Sequence, residues 1–206
     1  MVGVFEKGKA DVKFTARSNG GHASTPVKGT PIARLSAFVN EVETHSPFRK
    51  KMLPEVSAMF TALAPYAGFG MKLVFGNLWL FGPLLKAVMP SLSAQAGAML
   101  KTTIAFTVQK GSDAYNVLPQ EAYVGANMRF IPHQGEKESL EIIKKVAGKY
   151  GLETEVLHAN DYTPPVDIHG EAFHLVEQTI ADTFPGLPSS PYVMTGATDA
   201  QFYQPI

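Results

Sequence analysis

The hydrophobic period of this chain switches repeatedly between two residues and 3.6 residues, and the order of the switches leaves few folds open. "ADVKFTARS" alternates Val12, Phe14 and Ala16 against Asp11, Lys13, Thr15 and Arg17, the pattern of a half-buried strand. "GTPIARLSAFVNEVE" then changes to a helical period, with Thr30 as N-cap and Pro31 at the first helical position. Its apolar face is Ile32, Leu35, Val39 and Val42. Two more alternating runs follow. "TTIAFTVQKG" carries Ile104, Phe106 and Val108, and "EAYVGANMRFIP" carries Ala122, Val124, Ala126, Met128 and Phe130. "EKESLEIIKKVAGKYG" is amphipathic through Leu140, Ile143 and Ala147, with Gly151 as its C-cap, and "LETEVLHAN" is a last, weaker strand. The order strand, helix, strand, strand, helix, strand is the split βαβ, ferredoxin-like arrangement. The expected class is therefore α+β, a four-stranded antiparallel sheet with two helices on one face.

Two segments lie outside that unit. Residues 45–101 separate the first helix from the second strand, far longer than an ordinary connection. Their centre, "LVFGNLWLFGPLL", is strongly apolar but too short for a membrane span, and Gly76, Gly82 and Pro83 interrupt it. One reading is a pair of short helices buried against the domain or a partner. The other is an apolar wall for a greasy substrate, or a membrane-facing patch. The second segment, residues 161–206, contains a helix over about Glu171 to Thr183, a short strand "YVM" and a loop "TGATDA". A strand and a helix without enough partners read as a cut piece of another domain.

Charge narrows the partners. The chain has 18 basic and 18 acidic residues, net +0, without the basic surplus that nucleic-acid binding requires. Cysteine is absent, which excludes thiolate chemistry. The start, "MVGVFEKGKADVKF", has no apolar signal core and enters a strand almost at once. The expectation is a cytoplasmic chain without a transmembrane segment, whose native N-terminus is missing. Metal ligation finds no support: the six histidines are scattered, and the close pair His169 and His174 stands five residues apart, about 140° around a helix. No metal ligand is assigned, and no complete active site is expected.

Four short motifs nevertheless point to chemistry: "GGHAS" (Gly20 to Ser24), "NVLP" (Asn116 to Pro119), "NMRFIP" (Asn127 to Pro132) and "TGATDA" (Thr195 to Ala200). In this order around a split βαβ unit they resemble the zinc-dependent aminoacylase and carboxypeptidase family, metallopeptidase family twenty, whose members include carboxypeptidase G, carboxypeptidase S and succinyl-diaminopimelate desuccinylase. The long insertion looks most like the carboxypeptidase S branch. In that family a smaller lid or dimerisation domain interrupts a two-zinc catalytic domain. The resemblance implies that residues 5–160 are the lid and residues 161–206 the first returning piece of the catalytic domain. The two zinc ions would belong to the full-length parent, and none is expected on this fragment.

The resemblance also assigns roles. His22 would reach over a zinc site, the partner's in dimeric members, and donate a hydrogen bond to the oxyanion of a tetrahedral intermediate. Asn116 and Arg129 would hold the substrate, Arg129 gripping its free carboxylate with a fork of donors. Gly196, Thr198 and Asp199 would line the pocket. The parent would hydrolyse a peptide or N-acyl-amino-acid amide bond by a metal-bound water, and two lids would join into a homodimer through the helix Thr30 to Glu43 and an edge strand. The alternative is a stand-alone ferredoxin-like dimerisation or regulatory module with no chemistry of its own.

Overall fold

The computed structural model describes residues 1–203. In chain order its strands are β1 (Val2–Glu6), β2 (Gly8–Arg17), β3 (Gly21–His22), β4 (Thr103–Lys110), β5 (Val117–Leu118), β6 (Glu121–Phe130), β7 (Glu153–Asn160) and β8 (Pro191–Met194). The helices are α1 (Pro31–Thr44), α2 (Pro54–Leu63), α3 (Phe69–Gly76), α4 (Leu78–Leu92), α5 (Ala94–Ala98), α6 (Glu136–Lys149) and α7 (Glu171–Thr183), with 3-10 turns at Ala64–Tyr66 and Asp199–Phe202.

The four long strands form one antiparallel sheet in the order β4-β6-β2-β7. That is the ferredoxin-like order read from the alternating segments, and α1 and α6 cover one face. Because side chains alternate, Ala10, Val12, Phe14 and Ala16 of β2 and Ala122, Val124, Ala126, Met128 and Phe130 of β6 all point to that face and are buried. Leu35, Phe38 and Val42 of α1 and Ile143 and Ala147 of α6 close the core from above. Phe38 is its hub, with ring centroids 4.8 Å from Phe14, 5.5 Å from Phe106 and 6.1 Å from Tyr150. α1 starts where the sequence predicts: Thr30 Oγ1 accepts the Ala33 N–H at 3.4 Å, with Pro31 in the first turn. α6 ends at Lys149 with Tyr150 as its C-cap, so Gly151, expected as the cap, stands one residue beyond it in the left-handed region, φ 63°.

A second core lies off the end of the sheet. Val4 and Phe5 of β1, Val193 of β8, Phe173 of α7 and the inner sides of α2 and α4 (Val56, Met59, Leu85, Met89) pack together there. β1 runs parallel to β8, with Phe5 opposite Val193. Phe5, where the lid was expected to start, lies in β1 and packs in this second core, and the long sheet itself begins at Gly8. The reason is a break at Glu6-Lys7 that ends one strand and starts another, invisible to a reading that follows only period-2 alternation.

Residues 45–101 fold into four helices, α2 to α5; the apolar centre falls on two of them, α3 and α4, of which α4 buries only Leu85 and Met89 and α3 buries no residue fully. Both ends of the insertion are tied down at one buried residue, Gln134. Gln134 accepts the Arg49 N–H on its side-chain oxygen at 3.0 Å, and its carbonyl accepts the Thr102 hydroxyl at 2.9 Å. Among the described residues no single helix is long and apolar enough to cross a membrane. α3 and α4 would be so only together, and they meet at 108°.

Candidate functional site

His22 lies on a two-stranded ribbon, β3 with β5, just beyond the end of β2, where Gly21 pairs with Leu118 and His22 with Val117. The turn into it needs glycine. Gly20 has φ 70° and Gly21 φ 150°, and a Cβ on Gly20 would come within 2.7 Å of the Gln120 side chain. The His22 ring is exposed but oriented. Nδ1 accepts the backbone N–H of Ser24 at 3.2 Å and meets the Ser24 hydroxyl at 2.8 Å. A nitrogen that accepts an amide N–H carries no proton, so the neutral ring is the Nε2–H tautomer. Nε2 makes no hydrogen bond to a described residue, which leaves an N–H donor aimed outward. Asn116 stands on the same ribbon: its carbonyl accepts the Ala23 N–H at 2.9 Å, and its side-chain amide is exposed.

Arg129 lies elsewhere. It occupies the sheet face opposite the helices, as the alternation of β6 requires, in register with Lys9 and Thr103. Its Nε donates to Asn127 Oδ1 at 2.9 Å, and the Asn127 amide donates to Asp11 Oδ1 at 2.7 Å. Asn127, together with Lys9 at 3.0 Å, holds the Asp11 carboxyl below the usual carboxylate range. The guanidinium Nη atoms have no carboxylate partner among the described residues, so the fork remains available. Beside it Lys7 is 1 % exposed, its ammonium donating to the carbonyls of Ala98 (3.0 Å) and Lys101 (2.8 Å). Burial first, and then the Arg129 and Lys101 charges, push its pKa down to about 7.

The "TGATDA" loop reaches the same end of the molecule. The buried Glu6 carboxylate accepts the Thr198 backbone N–H at 2.8 Å and also the Thr198 hydroxyl. Asp199 opens the 3-10 turn Asp199–Phe202, and a Cβ on Gly196 would meet nothing within 4 Å, so the backbone there is open to solvent. Arg129, Lys7, Glu6 and Thr198 thus mark the junction of the sheet with the β1–β8 layer.

One chain does not join these two ends. Glu121, beside the His22 ribbon, pairs with Arg17, and Arg129 pairs with Lys9, so eight residues of β6 separate them. At strand rise that is about 26 Å. His22 and Asn116 come together, Arg129 and the Thr198 loop come together, and the two groups stand at opposite ends of the sheet. Among the described residues no group of three His, Asp or Glu side chains could hold a metal ion. The zinc implied by the resemblance has no fitting donor set here, and no chemical step is assigned to it on these residues.

Comparison with known proteins decides the family. Residues 4–155 match the M20 family model described as a peptidase dimerisation domain. The chain belongs to that family. Over 211 residues, 98% of this chain, the M20 domain described here is 32% identical to the N-fatty-acyl-amino acid synthase/hydrolase PM20D1 of Xenopus tropicalis, of which the match covers 40%. It is 28% identical to a probable carboxypeptidase S-like 2 of Dictyostelium discoideum, covering 98% of this chain and 38% of that protein. The chain therefore spans about two fifths of the curated relatives it matches. Among solved structures, the di-peptidase Dug1p of Saccharomyces cerevisiae superposes with a TM-score of 0.61 at 14% identity, over 99% of this chain and 46% of that one. Human carnosine dipeptidase 1 gives 0.59 at 11% identity, over 100% and 47%. The homologues are peptidases or N-acyl-amino-acid hydrolases by name, and the M20 fold is shared.

The motifs did not single out Lys7 and Glu6. Their only signal was two charged residues, "EK", set between apolar strands at the point where β1 stops and β2 begins.

Proposed function

We propose that this chain is the dimerisation lid and an adjoining catalytic-domain segment of an enzyme that hydrolyses peptide or N-acyl-amino-acid amide bonds, and that each active site is shared between two copies. The observation that carries this reading is the separation of the His22 end from the Arg129 end along a sheet whose β4 edge is open. β4 runs from Thr103, opposite Arg129, to Lys110, opposite Tyr123, and its second half is exposed. Exposed edges favour pairing with another strand, and a two-fold pairing of like edges is antiparallel. Such pairing reverses the ends, bringing the partner's His22 ribbon toward this chain's Arg129. α1, which packs its Phe38 against Phe106 of β4, flanks the same edge.

In this arrangement His22 supplies Nε2–H to the negative charge that develops on the carbonyl oxygen of the substrate. Ser24 fixes the tautomer, and the two glycines let the backbone approach closely. Arg129 binds the substrate carboxylate with its free Nη atoms, Asn127 and Asp11 holding the guanidinium plane. Asn116 offers its amide beside His22. Thr198, held by Glu6, sets the loop that carries Gly196 and Asp199 along the pocket wall. An acyl-amino-acid or dipeptide presents the two features these groups recognise, a scissile carbonyl and a terminal carboxylate. The relatives named as a fatty-acyl-amino acid synthase/hydrolase and a di-peptidase act on the same class of bond.

Subunit mixing tests the reading in the longer enzyme. Assayed at a concentration of a carboxylate-bearing substrate well below the wild-type KM, His22→Ala and Arg129→Ala homodimers should each be nearly inactive, and an equal mixture after subunit exchange should regain about a quarter of wild-type activity, from the one intact site of each hybrid. A mixture no more active than its components would refute the shared site.

A further inference from the structure

The outer side of the inserted helices has no part in the site above. α4 is apolar nearly all round: Leu85 and Met89 are buried in the second core, while Leu80, Leu84 and Val88 face solvent on the other side. Of the exposed positions of α4, only Ser91 is polar. A helix on the surface of a water-soluble protein carries polar and charged residues there, and one that is hydrophobic all round is normally covered. Two aromatic side chains are exposed on the same helix pair, Trp79 (81 %) at the start of α4 and Phe69 (87 %) at the start of α3. Aromatic side chains of this kind are favoured where an apolar phase meets water.

Charge and shape narrow the occupant. From Val56 to Ser112 the chain contains no Asp or Glu, only the cations Lys72, Lys86, Lys101 and Lys110, although the whole chain is neutral. Lys72 is exposed on α3, close in sequence to the apolar stripe. The 108° bend between α3 and α4 rules out one straight span. A bent pair with apolar outer faces and flanking lysines suits a position along a bilayer surface, apolar side chains entering the acyl boundary and ammonium groups meeting lipid phosphates and carboxylates. We propose that α3 and α4 dock this chain on an anionic bilayer surface. The proposal stands whether or not the hydrolase reading does.

Trp79 is the sole tryptophan of the chain and lies exposed in the first turn of α4, so its emission reports on the environment of this helix. The chain is mixed with vesicles of phosphatidylcholine alone or with about one third phosphatidylserine. Flotation with the anionic vesicles, a blue shift of the emission and quenching by lipids brominated in the acyl chains are the expected results. Leu84→Ser with Val88→Ser should abolish all three while leaving the circular dichroism and the urea midpoint unchanged, since both side chains are exposed. Lys72→Glu should weaken binding to the anionic vesicles. Leu175→Ser, at another exposed leucine on α7, should change nothing. The proposal fails if neither vesicle shifts the emission, or if Leu175→Ser weakens binding as much as the α4 pair. It also fails if the blue shift appears without lipid, grows with protein concentration and accompanies a doubled mass in light scattering, because a second copy then covers the patch.

Discussion

Lys7 ties the two layers together, and its burial makes stability depend on pH in a defined direction. Its ammonium is enclosed by the end of α5 and the start of β4, and its pKa falls from the ordinary 10.5 to about 7. Below about pH 7 folded and unfolded chains both hold the proton, and the folded chain bears the full cost of the buried charge. Between about 7 and 10.5 only the unfolded chain holds it, so stability rises with pH across that window. One pKa unit corresponds to about 1.4 kcal/mol, and from pH 7 to pH 9 the gain is about 2 kcal/mol after allowing for half-protonation at the lower end. For a chain of this size that raises Tm by about 4–8 °C. Urea unfolding at pH 7, 8 and 9 measures it, with Lys7→Met as the reference, because that side chain keeps the apolar length and cannot titrate. Lys101, also lowered by burial, adds a slope of the same sign to both chains, so the difference between them isolates Lys7. A flat wild-type profile from pH 7 to 9, or an equal slope in Lys7→Met, would show that Lys7 does not change its protonation on folding.

Other outcomes follow from the same contacts. Phe38→Ala removes the hub ring of the sheet core and should cost about 3–5 kcal/mol in urea unfolding, far more than Phe69→Ala at the exposed start of α3. Gly20→Ala forces a side chain into a left-handed turn against Gln120 and should cost about 1–2 kcal/mol while moving the His22 ring resonances. In the longer enzyme His22→Ala should lower kcat by about 10²–10³-fold with little change in KM, and Arg129→Ala should instead raise KM for substrates bearing a free carboxylate. Val108→Lys, on the exposed part of β4, should shift any dimer seen by light scattering toward monomer without unfolding the chain.

The ferredoxin-like sheet was legible residue by residue. Each of its strands buries one face against two helices, so alternation in β2 and β6 and the helical stripe of α1 appear directly in the order of the letters. Caps were equally local: Thr30, Pro31 and Gly151 act within one turn of their own position. The glycines before His22 announced an unusual turn for the same reason. β1, β3 and β5 were not read: β3 and β5 have two residues each, too few to show alternation, and β1 is parted from β2 by Lys7 alone. The inserted helices were recognised as apolar, but periodicity cannot say whether an apolar side faces a core or water.

What the sequence determined by itself is therefore the local part: the period of each element, its start and stop, and the order that selects the sheet topology. Only the tertiary structure decided that Glu6 meets Thr198, 192 residues away, and that Lys7 closes on the C-terminal end of the insertion, more than ninety residues downstream. It alone separated His22 from Arg129 by the length of a strand, although both motifs had read as parts of one site. The physical reason is that backbone period and capping act within a turn or two of the chain. Burial of a charge, and the distance between two side chains on one sheet, depend on which distant segments the fold brings against them.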